Sequence, residues 1–178
     1  VAKGQIVREI DSLGGLSGII SDNSAVQFRM LNRSKGPAMW SPRTQNDRQI
    51  FSYEWRKHLE ANKNIDFWQD MVSEIIVDVP RGTVEGVVTQ LGVTFMSKSV
   101  ILTNGTFLNG KIHIGEKQLG GGRAGEKSAK GLTEQLNKLG FLSGRMKTGT
   151  PPRIDGRSIN YSLLEEQFGD ENPGKFSY

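Results

Sequence analysis

The sequence predicts an α/β fold containing a meander and a buried parallel strand, and three observations predict it. Apolar residues recur at helical spacing through much of the first sixty positions. From Val72 to Met96 the period changes to that of a three-stranded β-meander. A short apolar run, Val100-Ile101-Leu102, then leads into Asn104-Gly105, the pattern of a strand covered on both faces.

Taken in order, Lys3 to Leu13 reads as a helix. Ile6, Val7, Ile10 and Leu13 share a face, and Gly14-Gly15 stops it. A second short helix is expected over Asn23 to Leu31, which would place Arg29 and Arg33, four apart, on one face. Residues 32–43 hold two prolines and a glycine with no period, so a loop is expected. A longer helix follows from Thr44 to Ala61, with Phe51, Trp55 and Leu59 as its apolar stripe. Strands are expected at Val72–Val79, Val84–Gln90 and Val93–Met96, turned by Pro80-Arg81-Gly82 and Leu91-Gly92. Ser99 to Thr103 is the parallel strand. A helix from Ser128 to Leu139 would use Ser128 as its N-cap, point Leu132, Leu136 and Leu139 inward and end at Gly140. The tail from Gln167 to Tyr178 is polar and is expected to fray.

Composition narrows the functions. The chain has 178 residues, 23 Lys+Arg against 19 Asp+Glu, and no cysteine, which rules out a disulfide scaffold or a thiolate nucleophile within it. The two histidines, His58 and His113, make no His-rich metal site; His58 is expected on a helix surface and His113 in a strand. No apolar run reaches the roughly 18–20 residues of a membrane span. The opening Val1-Ala2-Lys3 has neither an initiator Met nor a signal-peptide layout, so an internal fragment is expected. A net charge of +4 fits a polyanionic partner or plain solubility.

Four segments carry candidate chemistry. A meander that feeds a parallel strand ending in glycine is the way two-dinucleotide-domain flavoproteins bring bare main chain to a cofactor; Gly105 would be that glycine, and a simple hairpin with a strand-end glycine is the other reading. Gly120, Gly121 and Gly122 ahead of a helix, with Arg123 as a fork-shaped donor, could cradle an anion or form a plain glycine loop. Lys147-Thr148-Gly149-Thr150-Pro151-Pro152-Arg153 places Lys147 and Arg153 around a stiff diproline, suited to a phosphate or substrate contact or to a linker. Arg29, Arg33, Lys35 and Arg43, with Trp40 among them, match the phosphate-plus-stacking pattern of single-stranded RNA binders, or else a solvated helix face.

Several stretches together carry a family resemblance. KGQIVREIDSLGG (Lys3–Gly15), VQFRMLNRSKGPAMWSPRTQNDR (Val26–Arg48), VILTNGTFLNGKIHIG (Val100–Gly115), GGRAGE (Gly121–Glu126), GLTEQLNKLGF (Gly131–Phe141) and RMKTGTPPRID (Arg145–Asp155) occur in order along nearly the whole chain. They resemble the glucose-inhibited division protein A family, the tRNA uridine 5-carboxymethylaminomethyl modification enzymes. That resemblance implies a cytoplasmic, homodimeric FAD flavoprotein. With a GTPase partner it modifies C5 of the wobble uridine of tRNA, using NADH and a methylene-folate carbon donor. It implies a Rossmann-like FAD-binding domain interrupted by α/β insertions. Residues 1–23 and 71–110 would belong to that domain, 24–70 to a helical segment of it or a first insertion, and 111–178 to an insertion.

Carried over by position, Val72 matches a main-chain contact on the adenine side of FAD and Gly105 the cofactor-approach glycine. Gly120 matches a flavin contact where the family commonly has Ser, so here only backbone is offered. Arg123, Lys147 and Arg153 would be pocket cations, and Arg29, Arg33, Lys35 and Arg43 would hold the anticodon backbone. The family's glycine fingerprint, its cysteines and its partner-docking helical region are not in these residues. No catalytic residue and no metal ligand is therefore assigned within the chain. The competing classes are a non-enzymatic RNA-binding α/β module and a flavin oxidoreductase acting on a small molecule.

Overall fold

The computed structural model describes residues 3–147, 149, 151 and 154–178. Arg153, one of the candidate cations, lies outside the described residues. The chain is α/β and divides into two compact units, residues 1–67 with 152–178 and residues 68–151.

In the first unit, helix α1 (Lys3–Ser12) ends as its glycines predict. Gly14 takes φ +86° and donates to Asp11 O at 2.8 Å, and Gly15 donates to Ile10 O at 2.9 Å, the paired bonds of a Schellman stop. Helix α2 (Ser17–Asn23) follows and buries Ile20 completely. The helix expected over Asn23 to Leu31 is not formed. Ala25–Leu31 is strand β1, antiparallel to β2 (Ser41–Asn46), with Phe28 opposite Thr44 and Arg29 opposite Arg43. Val26, Phe28 and Met30 satisfy a period of two as well as Val26 and Met30 satisfy a period of four, and pairing with a distant strand decides between them. Arg29 and Arg33 therefore share no helix face.

The expected loop holds over 32–40, as two 3₁₀ turns, Arg33–Lys35 and Pro37–Met39. It then yields to β2, where Pro42 is tolerated because a two-stranded sheet leaves its edges open. Helix α3 (Arg48–Glu60) begins four residues later than expected. Its N-cap is Asp47, whose Oδ1 accepts from the N–H groups of Gln49 and Ile50 at 2.8 and 3.0 Å. His58 lies on this helix, half exposed, with Nε2 3.9 Å from Glu54.

The tail does not fray. Phe176 is buried and meets Phe28 edge-on at 6.3 Å between ring centroids. Asp22 accepts from the N–H groups of Phe176 and Ser177 at 2.9 and 3.0 Å. Asp170 lies along the outer edge of β1: its N–H donates to Phe28 O at 2.9 Å and its Oδ2 accepts the Met30 N–H at 2.9 Å. Compositional polarity missed this docking because two phenylalanine rings and a few carboxylates carry it.

The second unit holds the meander in the expected order, β3 (Val72–Asp78), β4 (Thr83–Thr89) and β5 (Thr94–Met96), all antiparallel. Ser99 to Thr103 forms no strand: no described residue hydrogen-bonds the main chain of 100–103, and Ile101 is 85% exposed. An apolar run becomes a strand only where neighbouring strands supply its ladder, and among the described residues none does. A hairpin, β6 (Lys111–Ile114) and β7 (Lys117–Gly120), follows, with His113 in β6 and exposed.

Helix α4 (Leu132–Lys138) is shorter than expected, and Ser128 is not its cap. The turn begins at Gly131, φ +99°, whose N–H donates to Glu134 Oε2 at 3.0 Å. The stop at Gly140, φ +92°, stands as expected. The Gln135 amide side chain reaches β3, donating to Ile75 O and accepting the Ile75 N–H at 2.8 Å. Ile75 and Leu132 form the buried centre of this unit.

Candidate functional site

In the second unit the expected cofactor residues fall into two groups. Val72 opens β3, half-buried, and its neighbours Met71 and Ser73 line a cleft of about 320 Å³. Gly120, at the end of β7, lines the same cleft, together with Gln90, Lys127, Ser128 and Lys130. Chain neighbours aside, no described atom stands closer to the place of a Gly120 Cβ than Ser128 Oγ at 3.6 Å, so main chain and open space meet there. The wall is held by Asp70: Oδ1 accepts the Met71 N–H at 2.7 Å and Oδ2 the Leu91 N–H at 3.1 Å. The Gln90 N–H donates to Met71 O at 2.7 Å. A hydrogen bond from the Thr89 hydroxyl, helped by those two amides, holds the Asp70 carboxyl below its ordinary value against an opposing cost of desolvation that exceeds either amide's share. A cleft with open main chain at Gly120 and two lysines among its lining residues can take a polar, negatively charged ligand.

Gly121 and Gly122 are placed differently. The Gly121 N–H donates to Gly110 O at 3.0 Å, and a Cβ there would stand 2.6 Å from Glu126 O. A Cβ on Gly122 would stand 2.6 Å from the Phe107 ring. Their smallness lets the loop pack on itself. Arg123 is exposed and its Nη1 lies 3.4 Å from Glu126 Oε1. Gly105 sits in a turn closed by the Phe107 N–H on Asn104 O at 3.0 Å. Its φ is +52°, and no described atom lies within 4 Å of where a Cβ would be. Lys147 is exposed.

In the first unit a cleft of about 500 Å³ gathers Arg29, Arg33 and Arg43. Lys35 does not line it and is exposed. Gln167 and Asp170 from the tail complete its wall. Arg33 Nη2 pairs with Asp170 Oδ2 at 2.8 Å. Arg29 Nη1 donates to the neutral Gln167 Oε1 at 3.2 Å, and Arg43 Nη2 reaches Gln27 Oε1 at 3.5 Å. Trp40 is exposed over 43% of its surface, with Nε1 donating to Arg33 O at 3.2 Å.

The sequence profile of the family described as Glucose inhibited division protein A matches residues 1–178. The chain belongs to that family. Among curated relatives, the tRNA uridine 5-carboxymethylaminomethyl modification enzyme MnmG of Cytophaga hutchinsonii is 72% identical over the whole chain, and that of Flavobacterium johnsoniae 65%. Among solved structures, GidA of Aquifex aeolicus in its form I crystal aligns over 99% of this chain at 46% identity, with a TM-score of 0.88. This GidA-family chain spans about 28% of the length of those curated relatives and 29% of that solved chain.

Membership does not itself single out residues, and the sequence reading of this GidA-family chain missed several. Lys127 and Lys130 follow closely on Gly120, Gly121, Gly122 and Arg123 in the sequence, so their proximity was legible there. Asp70 was not, because its second partner lies 21 residues away. Gln167 and Asp170 were hidden in a tail read as mobile.

Proposed function

We propose that this chain is the part of an FAD-dependent tRNA-modifying enzyme that contributes one wall of the flavin site and one tRNA contact. The observation that carries the reading is the family match over all 178 residues, joined to a cleft that Gly120 lines together with Met71 and Ser73, the two neighbours of Val72. The donor set suits FAD: main chain at Gly120 and around Val72, whose neighbours Met71 and Ser73 line the cleft, for its polar groups, Lys127 and Lys130 for diphosphate charge, and Gly105 with an open Cα face for a flat ring. When bound, FAD supplies the hydride and electron transfer. NADH would supply reducing equivalents and a methylene-folate the carbon, with a GTPase partner and a second copy of the enzyme completing a cytoplasmic assembly.

This chain's own residues bind and orient. Asp70 holds the main chain around Met71 and Leu91 in place, so the cleft is formed before a ligand enters. Gly121 and Gly122 keep their loop compact beside it. Arg123, Lys147 and Arg153 remain proposed pocket cations, and Arg29, Arg33, Lys35 and Arg43 proposed contacts to the tRNA backbone. C5 of uridine is a weak nucleophile, and enzymes of this kind raise its reactivity by adding a thiolate at C6; no cysteine in these residues supplies one. The family match favours this reading over an RNA-binding module or a small-molecule flavin enzyme.

Two measurements on the full natural chain carrying this sequence test it. Its absorption spectrum is expected to show bound flavin, and tRNA from a strain lacking the gene is expected to lose the mass increment at the wobble uridine. A colourless protein that gains no flavin on titration, or unchanged tRNA, would overturn the proposal.

A further inference from the structure

The register of the two-stranded sheet sets Arg29 of β1 directly opposite Arg43 of β2. Directly opposed residues of an antiparallel pair share a face, and like charges in that position repel. Nothing in the cleft relieves this pair. Asp170, the only carboxylate among its described lining residues, is committed to the Met30 N–H and to Arg33. Arg29 and Arg43 have neutral amide oxygens instead, one at 3.2 Å and one at a marginal 3.5 Å. Arg43 Nε is buried with no hydrogen-bond partner among the described residues. A buried guanidinium nitrogen left unpaired is costly. Both arginines line a cleft of about 500 Å³, which falls within the size range of small-molecule sites.

We infer that Arg29 and Arg43 form a phosphate-binding pair, with a phosphoryl group of the ligand seated between the two guanidiniums. The inference rests on the reading of this basic segment as a tRNA contact and narrows it to one pair and one chemical group. Guanidinium donors match phosphate oxygens in twos, and a bridging anion offsets the repulsion between them. Arg33 has a different part. Its ion pair with Asp170 holds the tail against β1, so it is a positioning residue that fixes the cleft wall. Lys35 lies outside the pair's cleft. The phosphoryl group comes from an RNA strand or from a small phosphate-bearing molecule.

The test uses the full natural chain with two probes, inorganic pyrophosphate and a short single-stranded oligoribonucleotide. Arg29→Gln and Arg43→Gln are expected to weaken pyrophosphate binding about tenfold or more each. In ligand-free buffer they are expected to melt no lower than the parent, since each relieves a like-charge contact. A merely structural arginine would do the reverse, lowering the melting temperature and leaving the pyrophosphate affinity alone. Arg29→Lys keeps the charge but not the fork, and is expected to bind pyrophosphate with intermediate strength, which guards against variants that fold poorly. Arg81→Gln, on an exposed turn of the other unit, serves as the control.

The oligoribonucleotide separates the two sources. If the double variant lowers the slope of log affinity against log salt by roughly 1.4, two strand phosphates are contacted there. A reduced slope of about half that assigns one. An unchanged slope with lost pyrophosphate binding assigns a small phosphate-bearing ligand. Pyrophosphate affinity and salt slope both unchanged in the double variant overturn the inference. Wobble-uridine mass analysis is read separately: its failure removes the tRNA-modification reading and leaves the phosphate pair to stand or fall on the binding data.

Discussion

The outer edges of β1 and β3 are each satisfied by a single residue from far along the chain, and the two residues do it differently. On β3, the neutral amide of Gln135 both donates to and accepts from Ile75, a partner 60 residues away. On β1, Asp170 uses its own main-chain N–H for Phe28 O and its carboxylate for the Met30 N–H, 140 residues away, and that carboxylate also draws in Arg33. An amide completes an edge without charge. A carboxylate completes it and also brings a cation to the rim of a cleft. The edge beside the buried centre carries the amide, and the edge beside the arginine cleft carries the charge.

The largest effect is expected where the edge is most enclosed. Gln135→Met keeps the volume but orphans the Ile75 N–H and C=O, and should cost about 2–3 kcal/mol, read from urea denaturation. Gly122→Ala drives a methyl group against the Phe107 ring and should cost about 1–3 kcal/mol. Gly120→Ser, where a Cβ meets only Ser128 Oγ at 3.6 Å, should stay within about 0.5 kcal/mol in the same assay. Asp170→Ala should cost about 1–2 kcal/mol, mostly for the unpaired Met30 N–H, since the Arg33 partner is exposed and contributes little. If Asp170→Ala proves more damaging than Gln135→Met, the contrast between the two edges is reversed.

Acid sharpens the contrast further, because Gln135 has no proton to gain. In the same unit, Asp70 has a folded pKa below its ordinary 3.8. As pH falls, the unfolded chain takes up this proton first. The Asp70 contribution is therefore present above about 3.8 and is lost as pH drops through the folded value. Asp70→Asn should remove that part of the acid dependence, measured as the change in urea midpoint between pH 6 and pH 3.

Much of the fold was legible because its signals are local. Gly14 and Gly140 stop helices where a left-handed residue is needed, and the meander announces itself by alternation and two turns. Asp47, the N-cap, was not singled out, and the helix was started three residues before it. What was hidden depended on partners elsewhere. Val26 and Met30 fit a helix until β2 pairs with β1. Ser99 to Thr103 reads as a strand by its side chains alone, yet a ladder needs neighbours. For the site, Val72 and Gly120 were identified singly, and only the folded chain brings Gly120 to one cleft with Met71 and Ser73, the neighbours of Val72, and adds Lys127 and Lys130. Arg29 was paired with Arg33 by spacing, whereas strand register pairs it with Arg43.

The most direct measurement is flavin content of the full natural chain carrying Lys127→Glu with Lys130→Glu, in the cleft that Gly120 lines. The account predicts that the purified protein folds with parental circular dichroism, loses most of its bound flavin, and binds added FAD at least about tenfold more weakly. A folded variant that retains its full complement of flavin would contradict it.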